Sequence, residues 1–510
     1  MRVDRIVEEA AAAQGVADKA ALIEDGQPPV SYAQLERRIA AAACALQGEG
    51  VAPGQRVVLV GENSADMVVL VFAAMRAGAW AVPLNARMAG GEIDAICAHC
   101  RPRLAYFATA SAPEAAAHAA RIGAHECAQE GLRQGRVALF TDGVESDGSD
   151  DGSDRDVAAM IYTSGSTGTP KGVMLTHANL DFVTRTSMQQ QVVLPEDIVF
   201  HALPISHSFG LVSALMCGLR AGATLHLVAR FSAEKLAHAI VHTGITVFQG
   251  VPAMYARLHE WALRSGSALQ PNRLRLTYIG GSLVDAARKA QTETLLGLRL
   301  HHGYGLTEAA PAATRTIGHP PPSDVTAGWP IPGIEVVLRD AHGEPVPPGE
   351  HGEVWIRGPN VMKGYFRDPE QTRSTLDDEG WLHTGDIGEF GRDGDLAIVG
   401  RLKEMIIRGG FNVYPAEVER AIAAYPGVAQ CAVVGRTVPG NEEIVAFVEP
   451  LAGWHIEVDG LRRFLRERLA PYKLPSEVVC MEHLPAAATG KLLKAQLKTM
   501  AGAAAAKVAG

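Results

Sequence analysis

The segment from Ile161 to Gly172 holds a dense set of groups that could bind an anion. Residues 163–172 include three glycines, five hydroxyl-bearing side chains and Lys171. Glycines let the backbone direct several N–H groups at one ligand, hydroxyls add donors, and a lysine neutralises negative charge. Pro170 before the lysine and Gly172 after it depart from the Walker A pattern. The segment therefore predicts a phosphate-binding loop of another type, with a flexible surface loop as the alternative.

Two further segments place polar groups directly after predicted strands, where α/β sheets bind their ligands. Gly280–Ser282 offers main-chain amides and a hydroxyl, and His302–Glu308 follows a later strand. In the second segment Tyr304 has a flat face for a base, Thr307 a hydroxyl for a phosphate, and Glu308 hard oxygen atoms for Mg²⁺. Taken alone, each segment is also explained as an ordinary turn.

The last third of the chain adds a carboxylate, a guanidinium and a lysine. Asp386 ends the segment Trp381–Asp386, and a carboxylate can accept hydrogen bonds from both hydroxyls of a ribose. Arg401 begins the last predicted domain, and Lys491 lies near the C-terminus. Isolated surface residues of these types are usually only solvated. They become informative if the fold brings them to the glycine-rich loop.

Alternating strands and helices between about residues 56 and 303 must position these groups. This alternation predicts right-handed βαβ units and largely parallel sheets covered by helices. Strands are predicted at 56–60, 104–107, 158–163, 224–228, 246–248, 274–279 and 298–302, and helices at 176–188, 233–242, 253–264 and 284–295.

The composition and the predicted secondary-structure pattern change twice after this region. Pro and Gly become frequent from 320 to 400, and closely spaced strands there predict a small antiparallel or barrel-like subdomain. A strand–helix–strand–strand–helix pattern then predicts an independent α+β domain of about 100 residues. We therefore expect an N-terminal domain over 1–400, which includes the barrel-like subdomain at 320–400, and a C-terminal domain over 401–510.

Composition excludes several classes of protein. The chain has 510 residues, a formal net charge of −9 and 47% hydrophobic residues, so it can bury a sizeable core but has no basic excess for nucleic acid. The apolar run Met67–Met75 is shorter than the ~20 residues of a membrane span, which predicts a buried helix and no transmembrane segment. Seven cysteines, an odd number, favour reduced thiols in the cytoplasm. A zinc site in the group Cys97-Ala-His-Cys100, His125 and Cys127 is a weaker alternative.

Together these segments resemble the adenylate-forming superfamily, which includes acyl-CoA synthetases, adenylation domains of peptide synthetases and luciferases. The resemblance runs from about residue 20 to 497, and these motifs occur in the family's order and spacing. It implies an α/β fold with a large N-terminal domain of two α/β sheet subdomains plus a small β-barrel. A mobile C-terminal α+β domain is expected to follow.

The resemblance implies a two-step ligation that uses ATP, Mg²⁺ and coenzyme A. A carboxylate attacks the α-phosphate of ATP to give acyl-AMP and pyrophosphate, and a thiol then accepts the acyl group. Because two anions meet in the first step, catalysis requires charge neutralisation and in-line geometry. The catalytic positions implied are Lys491, Thr307, Glu308 and Lys171, and the Mg²⁺ ligands implied are Thr167 and Glu308. The implied ATP- and AMP-binding positions are Thr163, Ser164, Gly165, Ser166, Thr167, Gly168, Lys171, Gly281, Ser282, His302, Gly303, Tyr304, Gly305, Thr307, Asp386 and Arg401.

In the second step the C-terminal domain is expected to rotate at Lys403, which occupies the family's hinge position. Lys491 then leaves the site, and Gly409 and Gly410 arrive beside a thiol channel. His207 matches the family position that gates the acyl pocket from this channel, with a core histidine as the alternative. The acyl-pocket and channel positions implied are His207, Phe209, Gly210, Val251, Gly280, Gly409 and Gly410.

The segments around the implied acyl pocket bear on the choice of acid. The stretch 204–210 has no acidic residue, which argues against an amino-acid substrate. Segments 209–216, 251–255 and 278–281 are mainly apolar and contain no Arg or Lys, which favours a fatty or aryl monocarboxylate over a dicarboxylate. No carrier-protein segment follows residue 500, so a free-standing enzyme is expected.

Other functions and the oligomeric state stay open at this point. An adenylase that loads a separate carrier protein is the alternative within the family. A P-loop-like NTPase and a non-catalytic nucleotide sensor are the alternatives outside it. A homodimer is among the oligomeric states that the sequence allows.

Overall fold

The computed structural model describes residues 2–127, 135–140, 156–164, 170–282, 284, 286–319, 326–409, 411–438, 441–451, 453–486 and 492–508. In chain order the strands are β1 (Ala20–Glu24), β2 (Val30–Ser31), β3 (Arg56–Gly61), β4 (Trp80–Asn85), β5 (Leu104–Phe107), β6 (His125–Cys127), β7 (Gly135–Leu139), β8 (Val157–Ser164), β9 (Pro170–Thr176), β10 (Ile198–His201), β11 (Thr224–Leu227), β12 (Val247–Gly250), β13 (Leu276–Ile279), β14 (Leu300–Tyr304), β15 (Thr314–Arg315), β16 (Trp329–Pro330), β17 (Glu335–Arg339), β18 (Gly352–Arg357), β19 (Gly364–Tyr365), β20 (Leu382–Phe390), β21 (Leu396–Arg401), β22 (Ile406–Arg408), β23 (Phe411–Val413), β24 (Val428–Val438), β25 (Asn441–Pro450) and β26 (Glu477–Cys480).

The α-helices are α1 (Ile6–Ala12), α2 (Tyr32–Gly48), α3 (Ala65–Arg76), α4 (Gly90–Cys100), α5 (Pro113–Arg121), α6 (His177–Gln189), α7 (Cys217–Ala221), α8 (Ala233–His238), α9 (Pro252–Ser265), α10 (Ala286–Leu296), α11 (Pro369–Thr375), α12 (Pro415–Ala423), α13 (Val458–Arg466) and α14 (Lys494–Val508). A π-helical segment, Phe209–Met216, leads directly into α7.

Two large mixed sheets form the N-terminal part of the molecule. One has the strand order β16-β15-β14-β13-β12-β10-β11-β1-β2, and the other has the order β19-β9-β8-β4-β3-β5-β7-β6. The central strands of both sheets are parallel, as predicted, whereas strands at their edges are antiparallel. The carboxyl ends of the parallel strands therefore carry the predicted binding segments.

The largest core lies between the two sheets. Helix α3 occupies it, and every residue from Ala65 to Met75 is buried. The same core includes β-strand residues of both sheets, such as Leu225 and Val57. A helix that is apolar on all sides is expected only where it is surrounded, so the short apolar run is the buried helix that the sequence predicts. Within the part of the chain that the structure describes, no helix has both the length and the apolar character that crossing a bilayer requires.

Two smaller units follow. Strands β17, β18, β20 and β21 form a four-stranded antiparallel sheet, in agreement with the predicted antiparallel subdomain. Beyond it, the β22–β23 hairpin and the sheet β24-β25-β26 pack with α12 and α13 around hydrophobic clusters of their own. The C-terminal part therefore has the separate core that an independently moving unit needs.

Strand β9 is an element that sequence reasoning missed. We expected the glycine-rich loop to lead from a strand directly into a helix, but β9 intervenes, paired antiparallel with β8. Helix α6 then begins at a capping box, in which the Thr176 hydroxyl accepts from the Asn179 N–H and the Asn179 side chain accepts from the Thr176 N–H. All seven cysteines of the chain are free, as their odd number suggests.

Candidate active site

The β8–β9 hairpin carries both ends of the predicted anion-binding loop. Thr163 pairs with Lys171, and Ser164 is the last residue of β8. Gly165, Ser166, Thr167 and Gly168 lie outside the described residues. The hairpin therefore fixes where the chain enters and leaves the loop, and it places Lys171 beside the strand end from which Thr163 projects.

Lys171 and Glu308 meet at the side chain of Tyr365. The Lys171 ammonium lies 5.3 Å from the centre of the Tyr365 ring and donates to Gln371 Oε1 at 2.8 Å. The Tyr365 hydroxyl donates to Glu308 Oε1 at 2.9 Å. Burial, and then the charge of Glu308, raises the pKa of Tyr365, so the phenol keeps its proton and remains the donor. A lysine, a neutral donor and a carboxylate from three distant segments thus converge.

Glu308 has the chemistry of a magnesium ligand. Mg²⁺ prefers hard oxygen atoms and is commonly bound by one or two carboxylates together with substrate phosphates and water. Glu308 is half-buried, and Tyr365 orients one of its two carboxylate oxygens. Among the described residues no group of three or more His, Cys, Asp or Glu could hold a metal ion. The Glu308 site therefore fits Mg²⁺ that is shared with a nucleotide, and the zinc alternative gains no support.

Asp386 lies between Tyr304 and Arg401. The Tyr304 hydroxyl donates to Asp386 Oδ2 at 2.7 Å, and Arg401 Nε lies 2.8 Å from Asp386 Oδ1. Strands β20 and β21 impose this contact, because Asp386 and Arg401 are cross-strand partners. Asp386 raises the pKa of Arg401, while burial opposes that rise. Burial, followed by the Asp386 charge, raises the pKa of Tyr304. Two neighbours thus orient the Asp386 side chain, and only 3% of the surface of Asp386 is exposed.

Two glycines of the segment His302–Glu308 are required by close packing. A Cβ on Gly305 would lie 1.6 Å from the Pro311 carbonyl oxygen, and a Cβ on Gly303 would lie 1.8 Å from the Tyr278 hydroxyl. Both distances are far inside van der Waals contact, so neither position admits a side chain. His302 is buried, and its Nδ1 lies 3.1 Å from the Thr326 carbonyl oxygen. His302 therefore contributes to the fold behind the segment.

Thr307 connects this segment to the stretch 204–210. Its hydroxyl lies 3.1 Å from the Ser208 hydroxyl, and both residues are buried. His207 itself is exposed, so the alternative of a buried core histidine is wrong. Gly210 is enclosed, because a Cβ there would lie 2.2 Å from the Pro204 carbonyl oxygen. The chain therefore turns tightly enough to bring the His207 backbone close to Thr307.

The residues that follow β13 are the last of the predicted acyl-pocket and adenine-binding positions in the N-terminal part. Gly281 adopts a left-handed conformation with φ +83°, which glycine tolerates best, and both Gly281 and Ser282 are exposed. An added Cβ on Gly280 would touch the Phe209 ring at 3.4 Å, and one on Gly281 would touch Val251 at the same distance. Gly280 therefore lies beside Phe209 and Gly281 beside Val251, although these residues come from three separate segments.

The C-terminal positions are arranged differently. Lys403 lies exposed in the short helical turn Leu402–Glu404. Gly409, at φ +58°, is exposed between β22 and β23, and its N–H donates to Asn441 Oδ1 at 2.8 Å. Gly410 and Lys491 lie outside the described residues. The hairpin that contains Gly409 thus faces solvent in this structure.

The segment His302–Glu308 is the centre of the arrangement. Through Tyr365 it reaches Lys171, through Thr307 it reaches Ser208, and through Tyr304 it reaches Asp386. Sequence reasoning missed the residues that make some of these connections, namely Tyr365, Gln371 and Ser208. Tyr365 is placed by the pairing of the short strand Gly364–Tyr365 with β9, which only the structure shows. Gln371 and Ser208 had no signal in the sequence, because a single amide or hydroxyl in a polar segment is unremarkable.

Comparison with known proteins agrees with this geometry. A family model described as AMP-binding enzyme matches residues 7–366, and one described as AMP-binding enzyme C-terminal domain matches residues 417–491. Feruloyl-CoA synthase from an Amycolatopsis species is 37% identical over 95% of this chain and 96% of its own length. Indoleacetate–CoA ligase from Aromatoleum aromaticum is 33% identical over 92% and 93%.

A solved structure shows the same fold over nearly the full length. ATP-bound MatB from Rhodopseudomonas palustris superposes with a TM-score of 0.83 at 30% identity, covering 98% of this chain and 99% of that one. These matches favour acid activation and thioester formation with CoA over the carrier-loading, NTPase and sensor alternatives. The chain therefore belongs to the AMP-binding enzyme family, and it is an AMP-forming acid–CoA ligase that uses ATP, Mg²⁺ and CoA.

Proposed function

We propose that this ligase activates an aromatic monocarboxylic acid and transfers it to CoA. The carrying observation is the aromatic lining beside Gly280, where the rings of Phe209 and Tyr278 pack edge to face with centroids 6.1 Å apart. Aromatic rings prefer such edge-to-face neighbours, so a third ring from the substrate fits this wall better than a flexible alkyl chain. The two relatives are named for acids that carry an aromatic ring, which supports the aryl over the fatty class.

In the adenylation half-reaction, charge neutralisation falls to residues near the β8–β9 hairpin. Lys171, with the amides and hydroxyls of Thr163–Gly168, binds the phosphates of ATP, and Thr307 contacts the α-phosphate. Glu308, with Thr167, holds Mg²⁺, which when bound offsets phosphate charge. The contact chain from Lys171 through Tyr365 to Glu308 supports these roles, since it presents both charges at fixed positions before substrate binds.

The nucleoside is bound on the other side of the same segment. Asp386 and Arg401 bind the ribose, and Gly281, Ser282 and Tyr304 lie against the adenine, while His302, Gly303 and Gly305 shape the backbone there. A carboxylate has about four lone-pair sites, so Asp386 can accept from ribose hydroxyls while it retains Tyr304 and Arg401. Lys491 bridges the acid's carboxylate and the phosphate, because a lysine is a compact charge on a long stem.

Thioester formation uses the C-terminal unit in a second position. The domain boundary lies at residue 400, the unit turns at Lys403, and the Gly409–Gly410 hairpin moves beside a thiol channel that His207 gates. Gly210 and Val251 complete the acyl pocket. The exposed Gly409 turn and the separate C-terminal core support this motion, because Ile406 and Val413 of the hairpin pack into that core and can move with it as one unit.

A two-stage assay tests the proposed function. Purified protein with Mg²⁺ and ATP is expected to exchange labelled pyrophosphate into ATP when benzoic, cinnamic or phenylacetic acid is added. Added CoA should then release AMP and form the aryl thioester. Straight-chain acids of equal carbon number serve as the matched comparison. Exchange that depends on fatty acids but not on any aryl acid would overturn the aryl assignment.

We also propose a cytoplasmic location. Seven free cysteines support it, because reducing compartments keep thiols unpaired. Cell fractionation with an antibody against the native chain tests this directly, and recovery from an oxidising compartment would contradict it.

A further inference from the structure

A row of polar side chains crosses the sheet beneath the π-helical segment Phe209–Met216. Gln249 of β12 lies directly beside Tyr278 of β13 in the parallel ladder, and Gly303 of β14 lies opposite Arg315 of β15. Neighbours in register project from the same face of a sheet. The Tyr278 hydroxyl fills the space above Gly303, where a Cβ would lie 1.8 Å away. The four residues therefore form one continuous strip, which we call the polar row.

The π-helical segment covers the polar row. Gln249 Nε2 donates to the Ser213 carbonyl oxygen at 3.2 Å, and Phe209 packs against the Tyr278 ring. Helical turns of the π type are frequent at functional sites. The Gln249 carboxamide is thereby fixed with its N–H directed at the helix, so its carbonyl oxygen is directed elsewhere.

Two polar atoms of the polar row have no hydrogen-bond partner among the described residues. These are the Tyr278 hydroxyl and Gln249 Oε1. Neither atom is among the polar atoms that are sealed from solvent. A buried polar group without a partner is costly, and here a donor and an acceptor on adjacent strands both point at accessible space. That pairing matches a group that donates one hydrogen bond and accepts another.

Arg315, a buried neighbour of Tyr278, influences the direction in which the Tyr278 hydroxyl donates. It is 5% exposed, its side chain donates to the Ser187 hydroxyl at 3.2 Å, and its Nε has no partner in the described structure. Burial lowers the pKa of Arg315, and Tyr278 is the neighbour that opposes this most. Burial likewise raises the pKa of Tyr278, and Arg315 opposes the rise. A guanidinium is positively charged and only donates hydrogen bonds. The lone pairs of the Tyr278 oxygen are therefore expected to face Arg315, and the hydroxyl hydrogen to point away from it.

Within the polar row, Tyr278 lies farther back along its strand than the nucleotide-binding residue Gly281. Tyr278 precedes Gly281 by three residues of nearly extended chain, which is about 10 Å. We propose that Tyr278 and Gln249 bind a ring hydroxyl of the aromatic acid, at the end remote from its carboxylate. Tyr278 donates to the hydroxyl oxygen, Gln249 accepts the hydroxyl hydrogen, and Arg315 is a positioning residue that orients Tyr278. This inference rests on the proposed aryl-acid function and narrows it to hydroxyaryl acids.

The test compares acids that differ only in the ring hydroxyl: 4-hydroxycinnamic with cinnamic acid, and 4-hydroxybenzoic with benzoic acid. A site built to bind a hydroxyl discriminates strongly against the analogue that lacks it. We expect kcat/KM of the wild-type enzyme to favour the hydroxylated member of at least one pair by about 30-fold or more. Tyr278→Phe and Gln249→Leu should each reduce that preference at least fivefold, mainly through KM for the acid.

Thr277→Val is the matched control. It lies on the same strand with its side chain on the other face, and it loses a buried hydrogen bond to the Arg299 carbonyl oxygen. It should lower thermal stability and leave the preference unchanged. Arg315→Lys should retain more of the preference for the hydroxylated acid than Arg315→Met does. The KM for ATP should be the same in both variants. A merely structural role of Arg315 would not produce this pattern.

The outcomes separate the two proposals. If the wild-type enzyme activates none of the aryl acids, the aryl function fails and this inference fails with it. If it activates both members of each pair equally well, or if Tyr278→Phe and Gln249→Leu keep the full preference, the inference is overturned and the aryl function stands.

Discussion

At the scale of single residues, neutral hydrogen-bond donors orient the acidic side chains of the site. Tyr365 holds Glu308, and Tyr304 holds Asp386, each by one phenolic hydrogen bond. Burial raises the pKa of both tyrosines, so each phenol keeps its proton and remains a hydrogen-bond donor to the carboxylate. The carboxylates are thus oriented before the nucleotide arrives, which is the arrangement that electrostatic catalysis requires.

Tyr365→Phe tests this orienting role. The change keeps the ring that faces Lys171 and removes the donor to Glu308. We expect kcat/KM for ATP to fall about tenfold, the equivalent of about 1.4 kcal/mol, because one hydrogen bond to a charged group is lost. Pyrophosphate exchange at several Mg²⁺ concentrations should show a raised Mg²⁺ requirement. Gln371→Leu, which removes the Lys171 partner and leaves Glu308 held, should not raise it.

His201 supplies a prediction about pH. It is fully buried, and neither ring nitrogen has a partner in the described structure. Burial lowers the pKa of His201 to about 4, well below the value near 6.5 expected in the unfolded chain. The unfolded state therefore binds the proton first. The free energy of unfolding should fall by up to about 1.4 kcal/mol per unit as pH drops from about 6.5 to about 4.

Urea titrations at pH 7, 6 and 5 check this prediction. His201→Leu should flatten the decrease relative to the wild-type protein, whereas His125→Gln, at an exposed position, should leave it as it is. An undiminished decrease in His201→Leu would assign the acid sensitivity to another group.

At the scale of elements, several contacts hold the β22–β23 hairpin, and the one with Asn441 fixes its backbone at Gly409. Asn441 at the start of β25 accepts the Gly409 N–H at 2.8 Å, and the left-handed Gly409 could not easily be another residue. Asn441→Ala should loosen the hairpin and slow CoA-dependent AMP release severalfold, while acid-dependent pyrophosphate exchange stays within twofold. Asn412→Ala, an exposed change in the same hairpin, is the control. Equal loss in both half-reactions would contradict the assignment of the hairpin to thioester formation.

At the scale of the whole molecule, the proposed division of labour places Lys491 in one half-reaction only. Lys491→Ala should abolish acid-dependent pyrophosphate exchange, because the two anions would then meet without a bridging charge. Thioester formation from supplied aryl-AMP and CoA should survive. Lys494→Ala serves for comparison, since Lys494 pairs with Glu404 and Glu419 and its loss should affect stability first. Equal loss of both steps in Lys491→Ala would refute the two-position mechanism.

The sequence predicted the residue types of the site and the order of its elements with some success. The strand at 104–107 and the buried helix around Met67–Met75 occur where the patterns place them. These predictions worked because hydrophobic periodicity and burial are properties of short segments. Strand β9 was missed because its length and glycine content give little periodic signal.

Sequence alone determined which groups this protein can offer to a nucleotide and an acid: a glycine-rich loop with Lys171, a glutamate for Mg²⁺ and a carboxylate for a ribose. Only the tertiary structure decided which side chains hold them and what lies under the acyl pocket. The pocket segments contain no cation, yet the antiparallel pairing of β14 and β15 brings Arg315 near enough to Tyr278 for each to shift the pKa of the other. Cross-strand register is set by packing across the whole sheet, so no local pattern encodes that proximity.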